Sequence, residues 1–225
     1  MSRHRTAFNP RLMIATGVAL GTLALQGALA ADEAGQQASQ SAGPNAEAQD
    51  PALEVSRSQS HYALPPIKLV RDDGKEVMLA DELNDGRPVV LNFIYTTCPG
   101  ICPLASHLFS ELQHDLGAER DKVHLVSISI DPEEDTPARL RAYAKKYSAG
   151  PSWQHYTGTV ASSLAAQHAF DVYRGDKMGH TPVTLLRTAP GAPWVRFDGF
   201  PTADMLLKEL HDHPQVAAAS PPAKP

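Results

Sequence analysis

Residues 88–95 run Pro88-Val89-Val90-Leu91-Asn92-Phe93-Ile94-Tyr95, and after the proline only Asn92 breaks the apolar series. A strand with one wet face alternates apolar and polar side chains, so an unbroken β-prone run predicts a strand covered on both sides. Residues 123–130 are read as a second buried strand. Between them Leu104, Leu108, Leu112 and Leu116 recur every four positions and Gly117 follows, the apolar stripe and stop of an amphipathic helix. Alternating elements of this kind give a central sheet with helices on both faces.

The flanking segments extend this core. A hairpin is predicted over residues 67–79, turning at Asp73-Gly74. Thr136 as N-cap and Pro137 at the first helical position open a helix reaching residue 147. A helical segment over 159–170, a strand over 181–187 with a hairpin partner at 194–197, and a closing helix over 202–211 complete the order. The fold class is therefore α/β, a thioredoxin-like central sheet flanked by helices, with an N-terminal β-hairpin.

A chain of 225 residues, 42% hydrophobic, suits one such domain with appendages. Arg3, Arg5 and Arg11 precede a chargeless stretch over 12–31, and Ala28-Leu29-Ala30 offers a small-x-small cleavage pattern. Residues 1–30 are read as a signal peptide, with an uncleaved anchor spanning 12–31 as the alternative. No cysteine lies near this junction to carry a lipid. Residues 31–60 hold only Leu53 and Val55 as sizeable apolar groups and read as a disordered linker. The domain is placed at 61–213, and the Pro- and Ala-rich 214–225 as a flexible tail.

Two cysteines exclude a multi-disulfide scaffold and a four-cysteine metal site, and 25 acidic against 20 basic residues argue against nucleic acid as a partner. Both cysteines follow the first buried strand, as Cys98-Pro99-Gly100-Ile101-Cys102-Pro103. Pro103 lacks an N–H, so the helix is expected to start at Cys102 or Pro103, which puts both sulfurs at a helix N-terminus. The partial positive charge there favours thiolate over thiol and prepares the pair for disulfide exchange or for a soft metal. An inert disulfide is the plain alternative, but a crosslink around so short a loop gains only about 2 kcal/mol.

Two thiolates and an imidazole would suit copper. Of ten histidines, His4, His61, His211 and His213 lie at the edges of the domain or beyond it, and His107 and His114 sit off the leucine stripe. His124, His155 and His168 read as core or surface residues. His180 differs, because it stands at the mouth of a strand after a short polar loop, where a thioredoxin-like sheet faces its cysteine turn. Met178 in the same loop carries a thioether. Asp131, Glu133, Glu134 and Asp135 precede a helix and are read as its turn, with no catalytic role.

The run from Phe93 to Pro103, the block Asp131-Pro132-Glu133-Glu134-Asp135-Thr136-Pro137 and the triplet Gly179-His180-Thr181 together resemble the Sco/SenC family of copper-binding, thioredoxin-like proteins. The resemblance implies a periplasmic or membrane-tethered metallochaperone holding one copper, Cu(I) or Cu(II), on Cys98, Cys102 and His180. It also implies delivery to the dinuclear copper centre of cytochrome c oxidase, with the copper-bearing oxidase subunit or another exported copper protein as partner. Gly100 and Gly179 stand where that family usually has acidic residues. An enzyme is the competing reading: a thiol–disulfide oxidoreductase using Cys98 and Cys102 as a redox-active pair. A copper or redox sensor would share the same cysteines.

Overall fold

The computed structural model describes residues 54–212. The leader, the linker up to residue 53 and the tail lie outside the described residues. In chain order the elements are β1 (Ser56–Ser60), β2 (Lys68–Arg71), β3 (Glu76–Met78), α1 (Leu79–Leu83), β4 (Val89–Ile94), α2 (Ile101–Asp115) and β5 (His124–Ser129). There follow α3 (Pro137–Lys146), β6 (Trp153–Thr157), α4 (Val160–Ala169), β7 (Val183–Arg187), β8 (Trp194–Asp198) and α5 (Ala203–Asp212). The strands form one mixed sheet in the order β1-β8-β7-β4-β5-β6-β2-β3. β4, β5 and β6 are parallel at its centre, with antiparallel β7, β8 and β1 on one side and β2 and β3 on the other. This is a thioredoxin-like α/β sheet.

All six residues of β4 are buried, and successive side chains enter different cores. Val90 and Ile94 pack with Phe109 and Leu112 of α2, Trp153 of β6 and Leu206 of α5. Val89, Leu91 and Phe93 pack on the other face with Val126, Ile128, Phe170 and Leu185. Two apolar layers on a strand with a side-chain period of two give the unbroken run in the sequence. Asn92, its one polar member, accepts a 2.8 Å hydrogen bond from Ser127, whose hydroxyl in turn accepts from the Trp153 indole at 3.0 Å.

Several expectations are corrected. Residues 56–60, expected within the linker, form β1 and pair in register with β8 from Ser56↔Asp198 to Ser60↔Trp194. Its sequence Ser-Arg-Ser-Gln-Ser is nearly all exposed, so backbone pairing and a two-pronged Arg57–Glu209 ion pair to α5 hold it, with no apolar signal to read. Where the chain enters β1 it crosses Gly199, which has φ +99° and would place a Cβ 2.9 Å from the Glu54 carbonyl oxygen. β6 was not anticipated, and the end of the N-terminal hairpin winds into α1. α2 begins at Ile101, one residue before the earliest expected start. Leu104 is 57% exposed although it belongs to the four-residue stripe. Each step of four overshoots a full turn by about 40°, so across three steps the stripe drifts off the core face.

Candidate functional site

β4 delivers the chain to the site and a tight turn follows, in which the Cys98 N–H donates to the Tyr95 carbonyl at 3.2 Å. Gly100 is the N-cap of α2 and offers no side chain to its free N–H groups. The Cys98 sulfur takes that place and accepts the Cys102 N–H at 3.4 Å. Pro103, the third residue of the helix, has no N–H to satisfy. The sequence thus turns a helix start into a seat for a negatively charged sulfur.

Both cysteines are free, Cys98 partly exposed and Cys102 buried. Burial works to raise the Cys98 pKa, but hydrogen bonds from the Cys102 thiol, the Cys102 and Gly100 N–H groups and the Tyr95 hydroxyl outweigh it and bring the pKa below that of an ordinary cysteine. Cys102 is pushed far up, by burial first and then by donating to Cys98. Tyr95 is raised to about 12 by burial and by its bond to Cys98, so it stays a hydroxyl donor.

Asp135 anchors the turn from below. Fully buried, it accepts from the Thr96 N–H at 3.1 Å, from the Thr96 hydroxyl, and from the Ser129 hydroxyl at 2.6 Å. Asp131 takes the Lys177 ammonium at 2.6 Å and so ties the loop after β5 to the loop that carries His180. There a short 3₁₀ turn, Lys177–Gly179, is capped by Asp176, whose carboxylate accepts the Met178 and Gly179 N–H groups. The acidic block therefore does more than start a helix: two of its carboxylates brace the site. A short polar series at a strand end, Ser129 to Asp135 beside Pro132, is the signal that could have marked them.

His180 is half-buried, and its Nε2 lies 3.0 Å from the Phe93 carbonyl oxygen. A carbonyl only accepts, so Nε2 carries the proton and Nδ1 keeps the lone pair. Burial first, and then Arg174, lowers the His180 pKa, which keeps the ring neutral. His180 and Cys102 line one apolar crevice with Phe93, Ile101, Leu108 and Phe200. The structure thus brings Cys98 to Cys102 and sets His180 across the crevice, but among the described residues no three His, Cys, Asp or Glu side chains converge closely enough to hold an ion. Sulfur and imidazole nitrogen are the donor types that suit a soft cation. At Gly100 an added Cβ meets nothing within 4 Å, whereas at Gly179 it would lie 3.1 Å from the Arg174 carbonyl oxygen. A side chain fits at the first position without displacement, and at the second the Arg174 carbonyl has to give by a few tenths of an ångström.

A thioredoxin-like sheet with an unequal, free cysteine pair at the start of α2 and a histidine on the facing loop defines a dithiol protein of the thioredoxin fold. Residues 56–213 match the family model SCO1/SenC, and the chain belongs to that family. It is 34% identical over 105 residues to the SCO1 protein homolog of Bacillus subtilis, covering 46% of this chain and 53% of that protein. It is 32% identical over 122 residues to SenC of Rhodobacter capsulatus, covering 54% and 53%. The chain spans about half the length of the curated relatives it matches. Among solved structures it is similar to Bradyrhizobium japonicum ScoI with copper bound, at TM-score 0.57 and 29% identity over 67% of this chain and 99% of that one. BsSco, described as a member of the Sco family of cytochrome c oxidase assembly proteins with a disulfide switch, matches at TM-score 0.58 and 26% identity over 69% and 95%.

Proposed function

We propose that the protein is an exported copper metallochaperone whose cargo is one copper ion held by Cys98, Cys102 and His180. The observation that carries this reading is the pairing of a thiolate-prone, accessible Cys98 with a neutral His180 whose Nε2–H is fixed on the Phe93 carbonyl. That hydrogen bond leaves Nδ1 as the donor atom, as outer partners of metal-binding histidines do. Cu(I) favours soft sulfur, and thiolates with an imidazole give it a three-coordinate set. Of the three resident ligands Cys98, as thiolate, bonds the ion ahead of Cys102; Cys102 releases its proton to water as the metal replaces it; His180 closes the site with no proton to lose. Asp135 keeps the cysteine turn from unwinding while ligands exchange. The delivery target in this reading is the dinuclear copper centre of cytochrome c oxidase, or another exported copper protein, reached from the periplasm with residues 1–30 as a signal peptide or 12–31 as a tether.

The unequal thiols favour a second reading, a thiol–disulfide oxidoreductase. Cys98 would attack a client disulfide, and buried Cys102 would resolve the mixed intermediate to leave an oxidised pair and a reduced client. An anaerobic Cu(I) titration of the reduced protein against a competing chelator separates the two. One copper per chain, held about tenfold or more weakly after His180→Ala and after Cys98→Ser, is the expected result. Equal binding without His180 sinks the three-ligand site and leaves the reductase.

A further inference from the structure

Met178 is 74% exposed, an unusual place for a thioether, and it is held there. Asp176 caps the turn that carries it, Lys177 bonds Asp131 at 2.6 Å, and the Tyr95 hydroxyl reaches the Met178 sulfur at 3.9 Å. The carbonyl of the same tyrosine accepts the Cys98 N–H at 3.2 Å. One tyrosine thus joins an exposed, uncharged sulfur to the turn that carries the accessible cysteine.

We propose that Met178 is the entry ligand of the copper site, a soft donor that receives Cu(I) from the delivering molecule and passes it to Cys98. The inference rests on the copper reading above and adds a residue to it. In the exchange a bond from Cu(I) to the Met178 sulfur forms as one bond to the delivering ligand breaks; the Cys98 thiolate then displaces the next, and the Met178 bond breaks as the Cys102 sulfur takes its place. Copper stays Cu(I) throughout and no electron moves. The thioether carries no proton and releases none, so the first contact occurs without deprotonation, and the Cys102 proton goes to water only when the ion reaches the buried sulfur. A weak, neutral donor outside a strong, anionic one accelerates exchange without holding the cargo.

The test is a stopped-flow measurement of Cu(I) transfer from a chelator complex to the reduced full-length protein, beside equilibrium competition, for wild type and Met178→Leu. Leucine keeps the bulk and removes the sulfur lone pair, and a side chain this exposed leaves thermal unfolding unchanged. Transfer slowed by more than about threefold with affinity unaltered is the expected result. Rates within that factor overturn the proposal. Affinity that falls in step with the rate also overturns it, because Met178 would then be a resident ligand. A wild type that takes up no Cu(I) removes the copper reading itself, whereas a wild type that loads normally and ignores Met178→Leu removes only the entry ligand.

Discussion

Four residues of separation give two chemically identical thiols opposite surroundings. Cys98 collects donors and Cys102 is enclosed by the core, so alkylation by iodoacetamide near neutral pH is expected at Cys98 well before Cys102. Tyr95→Phe removes one donor to the thiolate. The Cys98 pKa should rise and the labelling rate near neutral pH fall severalfold, as a pH series of rates would reveal; an unchanged profile would leave the Tyr95 bond without influence. Asp135→Asn removes a buried charge from three donors and is expected to cost about 2 kcal/mol in urea unfolding. The placing of the cysteines at the start of α2 was legible because strand ends, prolines and helix starts are local patterns. The bracing by Asp131 and Asp135 was not, since each meets its partner, Lys177 or Thr96, across a gap of forty or so residues that only the folded sheet closes.

Elements buried on both faces announced themselves, and the edges did not. β4 read directly from its apolar run, β5 from a β-prone stretch over 123–130, and α3 from Thr136-Pro137, where the Thr136 hydroxyl accepts the Arg139 N–H as expected of an N-cap. β6 escaped because Trp153, Gln154, His155, Tyr156 and Thr157 show no clean alternation, although four of the five are buried. β1 escaped because its register with β8, and not its own side chains, makes it a strand. Gly199 makes that pairing possible. Gly199→Ala puts a Cβ against the Glu54 carbonyl in a backbone conformation that L residues avoid, and a loss of about 2 kcal/mol is expected. Hydrogen exchange should show β1 amides losing protection first; uniform loss across the sheet would mean that β1 does not open on its own.

For the molecule as a whole, acid is the predicted weakness. His155 is completely buried, neither ring nitrogen has a hydrogen-bond partner, and Asp72 lies 3.9 Å from Nδ1, too far to bond it. Burial lowers its folded-state pKa from 6.5 to about 3, and burial also lowers that of His124. Between those values the unfolded chain binds a proton that the fold refuses, so stability is full above pH 6.5 and falls as the pH drops toward 3. His155 alone contributes a loss on the order of 3–4 kcal/mol. His155→Phe, stacked in the same place on Trp153, should flatten that slope in chemical unfolding followed across pH; a slope equal to wild type would show that the ring is hydrated. The corner at Gly199 has a practical bearing as well. Glu54 enters beside the crevice that Gly199 and Phe200 line, while α5 ends near the far end of α2, its His211 standing 3.6 Å from Glu119. A protein fixed to an electrode or sensor chip through a handle after residue 212 therefore keeps its crevice turned to the bulk solution. The same protein attached just ahead of residue 54 presents its cysteines to the support, where diffusing reagents arrive last.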